Sequence, residues 1–276
     1  APSRTLPGAR FKGGLAAALA LAVAIGAGAT YWAMRGATSP ERAEFSISVP
    51  GEVSHLALST DGKWLAFICP GETDGSPMLF VQRVGGAQAR AIPDSEGASY
   101  PFWSPDAQYV AFFSKGKLRK AAIAGGALQT VASTGTAPRG GSWGGKGVIL
   151  YAPDAGGSLW RVNADGSGAA ALTDKPRKAA EASQRWPFFL ADGEQFLMFG
   201  GSFSETDVEA NTVYLGSLSK PGLTPLFHAR SSAVYAGGQV YYADENSALV
   251  AAPLDIRNAK ISATPRVVAA RVARSP

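Results

Sequence analysis

From about residue 45 onward, apolar residues fall into short runs separated by turn-forming groups, and the pattern returns every 40–46 residues or so. One unit reads Tyr100-Pro101-Phe102-Trp103-Ser104-Pro105-Asp106, followed by Tyr109-Val110-Ala111-Phe112. An earlier copy reads Leu58-Ser59-Thr60-Asp61-Gly62, then Trp64-Leu65-Ala66-Phe67. A later one reads Trp186-Pro187-Phe188-Phe189-Leu190-Ala191-Asp192-Gly193, then Phe196-Leu197-Met198-Phe199. Between them, Gly141-Ser142-Trp143 leads through Gly147 to Val148-Ile149-Leu150-Tyr151. The last unit runs Val234-Tyr235-Ala236-Gly237-Gly238, then Val240-Tyr241-Tyr242.

Each unit predicts a strand, a tight turn and a second strand. Asp-Gly and its relatives suit the turn, because Gly takes a positive φ without steric cost and Asp hydrogen-bonds its own backbone. The turn residues are Asp61 and Gly62, Ser104, Pro105 and Asp106, Asp192 and Gly193, and Gly237 and Gly238. Third strands follow at residues 79–84, 118–123, 159–162, 213–218 and 249–254, often closed by Gly85-Gly86, Gly125-Gly126 or Asp165-Gly166. A fourth strand, such as residues 128–131, ends the unit. Four short antiparallel strands per repeat predict an all-β propeller, with about five blades over residues 45–276. Residues 45–49 read as a strand before the first unit, yet the fifth unit has its own fourth strand near residues 266–272. The first strand therefore calls for a blade beginning after Pro276, and a truncated propeller with at least one blade missing is expected, with a closed five-bladed ring as the alternative.

The N-terminal part has a different pattern. Residues 13–34 contain no charged side chain, with Lys12 and Arg35 at the limits. About 22 residues of helix rise about 33 Å, enough for a hydrocarbon core of about 30 Å. Tyr31 and Trp32 sit at one end, where aromatic rings favour the interface. The expectation is one transmembrane helix over 13–34, a basic juxtamembrane segment over 1–12 and a linker over 35–44. Ala27-Gly28-Ala29 offers the alternative of a cleaved signal peptide. Arg4, Arg10 and Lys12 against Arg35 and Arg42 place the propeller outside the cytoplasm. Ala22 and Gly26 have a spacing that packs two helices into a homodimer.

Charge modifies the picture only slightly. The net charge of +5 comes from the two ends: Arg4 to Arg42 at one, and Arg257, Lys260, Arg266, Arg271 and Arg274 at the other. The body between is net acidic, which argues against a nucleic-acid face. The 33 glycines, 18 prolines and 17% charged residues fit a turn-rich fold. Cys69, the single cysteine, makes neither an internal disulfide nor a cysteine zinc site, and reads as a half-buried inert thiol.

Ser104-Pro105-Asp106 with Tyr109-Val110-Ala111-Phe112 resembles the TolB-type WD40-like (PD40) repeat, whose core is Ser-Pro-Asp-Gly followed by Ile-Ala-Phe. Ala107 replaces the glycine, Thr60 replaces the proline of the first unit, and the third unit has lost the aspartate. The wider order is Phe45-Ser46-Ile47, the Leu58 unit, the Tyr100 unit, Gly140-Gly141-Ser142-Trp143 and Arg185-Trp186-Pro187-Phe188. It is similar to the region after the membrane helix in acidobacterial-type serine/threonine kinases, over about residues 10–276. Some membrane-anchored winged-helix regulators carry similar regions. The resemblance implies a kinase before the helix. None of its His-Arg-Asp, Asp-Phe-Gly or Val-Ala-Ile-Lys signatures is in this chain.

Other candidate chemistry is better explained by structure. Gly140-Gly141-Ser142-Trp143-Gly144 matches a hydrolase Gly-x-Ser-x-Gly elbow, but strand rather than helix follows. The stretch from Gly140 to Gly145-Lys146 lacks the Ser or Thr and the helix of a phosphate-binding loop. His55 and His228 fall in different units without metal-ligand partners. Lys115, Lys117, Arg119 and Lys120 read as a solvated strand surface. No catalytic, cofactor or metal site is therefore expected. The chain reads as a non-catalytic extracytoplasmic sensor propeller of a single-pass bacterial inner-membrane protein, with a protein, peptide or glycan partner at its rim. The alternatives are a periplasmic TolB-like scaffold and the propeller of a prolyl-oligopeptidase-type peptidase.

Overall fold

A computed structural model describes residues 49, 51–71, 74–174, 183–201 and 211–271. The chain divides into Ala1–Ser46 and Ile47–Pro276, and the second unit holds all the described strands. The expected basic segment, membrane helix, linker and residues 45–48 of the first strand lie outside the described residues. Among those described, no helix is long and apolar enough to cross a membrane.

Five antiparallel sheets form a five-bladed propeller. The first holds β1 (His55–Leu58), β2 (Trp64–Pro70), β3 (Pro77–Arg83) and β4 (Arg90–Ala91). The second holds β5 (Ser99–Trp103), β6 (Tyr109–Ser114), β7 (Lys117–Ala122) and β8 (Gln129–Ser133). The third comprises β9 (Gly141–Trp143), β10 (Val148–Tyr151), β11 (Trp160–Asn163) and β12 (Ala170–Ala171). The fourth comprises β13 (Ser183–Phe189), β14 (Gln195–Gly201), β15 (Thr212–Ser217) and β16 (Thr224–His228). In the fifth, β17 (Val234–Ala236), β18 (Gln239–Ala243) and β19 (Leu249–Asp255) are followed by an outer strand in two pieces, β20 (Lys260–Ile261) and β21 (Arg266–Ala269). Both pieces pair with β19, with residues 262–265 interrupting them. The fourth strand of this blade thus starts earlier than residue 266.

The second strand of each of the first four blades reads as an apolar run because it is covered on both faces. In β6, Val110 and Phe112 join a cluster with Ala66, Ile68, Leu79 and Val81 of the first blade. Ala111 and Phe113 join Ile149, Tyr151 and Val162 of the third. The alternation of one strand thus supplies two cores. Similar clusters join the third blade to the fourth and the fourth to the fifth. On the first blade's other face, Leu65, Phe67, Cys69 and Phe80 pack with Val49 and Val53. Cys69 is fully buried rather than half-buried, and burial pushes its thiol pKa up. Among the described residues, no apolar cluster joins the first blade to the fifth.

The repeat turns are closed by one small network. The Ser104 hydroxyl donates to Asp106 at 2.6 Å and accepts from the Tyr109 N–H at 2.9 Å. Ser59, Asp61 and Trp64 repeat the arrangement. Each hydroxyl holds its carboxyl below the usual carboxylate range. Gly62 has φ 69° and Ala107, at the equivalent place, has φ 56°. Left-handed backbone costs an alanine about 1 kcal/mol or somewhat more. The Ala107 methyl is buried between blades, and such burial offsets about 0.8 kcal/mol. That balance lets this unit dispense with glycine. Asp192 accepts from the N–H groups of Glu194 and Gln195, with Gly193 at φ 60°. Gly237 and Gly238 form a two-residue hairpin with both φ positive.

Polar contacts also cross between blades. Thr60 donates to the Pro105 carbonyl at 2.8 Å, and the Trp103 indole donates to the Ala57 carbonyl at 2.9 Å. Glu194 is the centre of the third-to-fourth contact. It accepts from the Ser219 N–H and the Ser217 hydroxyl at 2.8 Å each and from Lys146 at 3.0 Å. Hydrogen bonding by the side chains of Ser219, Ser217 and Lys146, in that order, and least by the Ser219 N–H, lowers its pKa from 4.5 to about 2. A carboxyl depressed in the fold stabilises it above the unfolded pKa and loses that effect as pH falls from about 4.5 to about 2. Glu194→Gln is therefore expected to flatten the acid limb of a urea-midpoint profile over that window. The effect is modest, because the side chain is still 26% exposed and solvent screens it. An unchanged acid limb refutes the assignment.

Candidate functional site

The five inner strands leave a cavity of about 630 Å³ between them. Its wall comes from residues 55–58, 100–103, 140–145, 186–191 and 232–234, with Thr60 and Pro105 at one end. Every blade contributes, and among the described residues none of the lining side chains carries a formal charge apart from a titratable histidine. Burial lowers the pKa of that residue, His55, and so favours its neutral form.

Two bulges shape the wall. The register of β5 on β6 shifts between Ser99 and Phe102, and that of β13 on β14 shifts between Arg185 and Phe188. At each shift one aromatic residue takes a left-handed φ: Tyr100 at 48° and Trp186 at 49°. A bulge re-aims side chains and sharpens the local twist, and both rings end on the cavity. The next residue in each case is proline, Pro101 or Pro187, on an innermost strand that needs no further hydrogen-bond partner. Gly140 takes the equivalent place in the third blade at φ 82°. A Cβ there would stand 2.8 Å from Cδ1 of Trp186, and one on Gly141 would stand 2.5 Å from the Phe102 ring. The glycines therefore give the neighbouring aromatic rings their room. The His55 and Tyr100 rings meet edge to face at 4.3 Å.

Beside this wall lies Arg185. Its Cζ sits 4.7 Å from the centre of the Trp186 ring and 5.2 Å from that of Phe199. The guanidinium pKa is lowered, chiefly by burial and then by repulsion from Arg139. Arg139 precedes Gly140, and its carbonyl accepts from the Trp186 N–H at 2.9 Å. Its own guanidinium donates to the Ala137 and Pro138 carbonyls.

The other residues singled out in the sequence are placed elsewhere or engaged. Ser142 lies on a strand, and its hydroxyl accepts from the Phe189 N–H at 3.0 Å. Lys146 pairs with Glu194. His228 contacts Thr212, remote in the fold's strand order from His55. In the basic run Lys115 and Lys117 are exposed, with Lys115 paired to Glu96, while Arg119 donates to the Asp94 carbonyl and Lys120 donates to the Ala164 carbonyl over the Tyr109 and Trp143 rings. The repeat-turn residues serve the hairpins, and at these turns Thr60, Pro105, Gly145 and Ala191 reach the cavity. Arg139 and Arg185 carry no repeat signature. The signal for the wall was the shared aromatic-proline pair, Tyr100-Pro101 and Trp186-Pro187.

No family profile matches the chain, and no curated protein matches it by sequence. Solved structures do match in fold. A TolB from Agrobacterium tumefaciens superposes with a TM-score of 0.56 at 17% identity, over 71% of this chain and 73% of that one. TolB from Acinetobacter baumannii gives 0.60 at 14% identity, over 80% of this chain and 56% of that one. A puromycin hydrolase gives 0.57 at 16% identity, over 83% of this chain and 40% of that one. The chain thus spans about half of the Acinetobacter protein and less of the hydrolase. At these identities the likeness is one of fold: a TolB-like propeller scaffold.

Proposed function

We propose that this propeller is a non-catalytic interaction module whose axial cavity binds an extended peptide segment bearing apolar side chains. The carrying observation is the cavity itself, walled by residues of all five blades, with phenyl, phenol and indole rings from the second, third and fourth, glycines from the third, and no formally charged side chain besides the titratable His55. A sugar ligand needs many donors and acceptors, whereas here Ser142 and Thr60 are already bonded within the protein. Proline and aromatic side chains instead match such walls by area and ring contact. The sequence resemblance to receptor-like kinases supports placing this module outside the cytoplasm, tied through a helix at residues 13–34 to a cytoplasmic kinase or regulator. Protease accessibility on spheroplasts decides that placement: protection of the propeller from outside counts against it.

The binding reading is tested by selecting displayed peptides on the full chain in detergent. Val234→Trp then fills the cavity from an exposed position, so it should not disturb the core. Peptides rich in aromatic residues and proline should be recovered, and their affinity should fall at least about tenfold with the blocked cavity. Peptides that bind both forms equally, or no recovered peptides, overturn the reading.

A further inference from the structure

A half-buried arginine needs acceptors, and Arg185 has none among the described residues. Its Nε is buried without a hydrogen-bond partner, and no carboxylate pairs with it. The contacts it does make are with the rings of Trp186 and Phe199. Ring faces stabilise the charge but leave the guanidinium's fork of N–H donors unmatched. A desolvated cation in that state is unfavourable unless it is paired. Here its charged neighbour is a second cation, Arg139, which makes the local field more positive.

The missing side chain of Gly201 gives the fork its room. A Cβ on Gly201 would stand 2.8 Å from Nη2 of Arg185 and 2.6 Å from Oδ1 of Asn211. That Asn211 oxygen is itself buried without a partner. A small turn of the Asn211 amide brings a neutral group to Arg185 and leaves its charge uncompensated. Two unsatisfied polar groups, one cationic, therefore share a corner beside the aromatic wall.

We propose that Arg185, with Arg139 beside it, is a carboxylate-binding site against the Trp186 ring that lines the axial cavity. It takes an acidic side chain or the C-terminal carboxylate of a peptide whose apolar part lies in the cavity, and to that extent it rests on the binding reading above. The guanidinium fork matches a carboxylate with two parallel N–H···O bonds. The Trp186 ring, which lines the cavity and also lies under the Arg185 head, joins the two subsites. A peptide therefore presents an aromatic or proline side chain and a carboxylate within one or two residues of each other.

The test titrates the full chain in detergent with N-acetyl-phenylalanine and with its amide, which differ only in the carboxylate. The acid should bind about tenfold more tightly than the amide, from one charge-assisted pair. Added salt should weaken only the acid. Arg185→Gln should bring the two affinities together, and Arg139→Gln should narrow the gap. A second readout protects against a misfolded variant: in arginine-labelled wild-type protein, acetate should shift the Arg185 Nε–H resonance. Equal binding of acid and amide, blocked in both cases by Val234→Trp, overturns the carboxylate site and leaves the cavity reading standing. An acid preference that survives both arginine substitutions, or an Arg185 resonance unmoved by acetate, also overturns it. Absence of binding by either probe counts against the site, while the peptide selection judges the cavity separately.

Discussion

Phe112→Ala is expected to remove about 3–5 kcal/mol of stability. Phe112 is fully buried at the middle of β6 and packs against Ala66, Ile68, Leu79 and Val81 of the preceding blade. Truncation takes away the ring's transfer energy and leaves a cavity between two sheets. Those sheets are also held by the Trp103–Ala57 and Thr60–Pro105 hydrogen bonds, so they cannot readily close in. The loss is a large fraction of the roughly 5–15 kcal/mol typical of a domain. Urea unfolding followed by tryptophan fluorescence measures it, with the m-value checking that unfolding stays cooperative. Leu56→Ala is the control: Leu56 is 63% exposed and its loss should stay within about 0.5 kcal/mol. A Phe112 effect no larger than the control's would mean that the first two blades do not pack face to face.

Gly140→Ala should cost about 2–4 kcal/mol and also weaken binding in the cavity. Two penalties combine. The backbone at φ 82° lies beyond the angles near 50° at which Tyr100 and Trp186 carry side chains in the equivalent position. The new methyl also meets Trp186 at 2.8 Å from Cδ1 and 3.5 Å from Cα. Trp186 cannot retreat freely, because its N–H is bonded to the Arg139 carbonyl and its ring packs against Phe199. The strain therefore passes to the ring that lines the cavity. Gly145→Ala separates this from a general glycine effect. A Cβ there meets nothing within 4 Å and its φ is not in the left-handed region, so stability should be nearly unchanged. Thermal unfolding and the affinity of a selected peptide are the two readouts. A Gly140→Ala protein with unaltered stability would place Trp186 elsewhere.

The hairpins were legible because their causes are local. Gly237-Gly238 and the Ser104–Asp106 pair set turns within a few residues, and the apolar runs of β2, β6 and β14 announce strands covered on both faces. Edges were less legible. The outer strand of the fifth blade divides around residues 262–265, where pairing on β19 rather than apolar pattern decides what is strand. Cys69 gave no sign of its full burial, which depends on Val49, Val53 and Phe80 packing with it. Lys115 and Lys117 are exposed as alternation suggested, but alternation does not report what covers the other face. Lys120 in fact reaches the next blade's Ala164 carbonyl and the Trp143 ring.

By itself the sequence determined the repeat, the strand order within each blade and hence the propeller, since each follows from neighbours in the chain. Tertiary structure alone decided the cavity and its charged edge. Tyr100, Gly140 and Trp186 stand a blade apart in sequence and meet only when the inner strands are brought side by side. The readiness of Arg185 to take a carboxylate is likewise no property of its sequence neighbours. It arises because no acceptor among the described residues meets its fork, whose surroundings Trp186, Phe199, Gly201 and Asn211 make together.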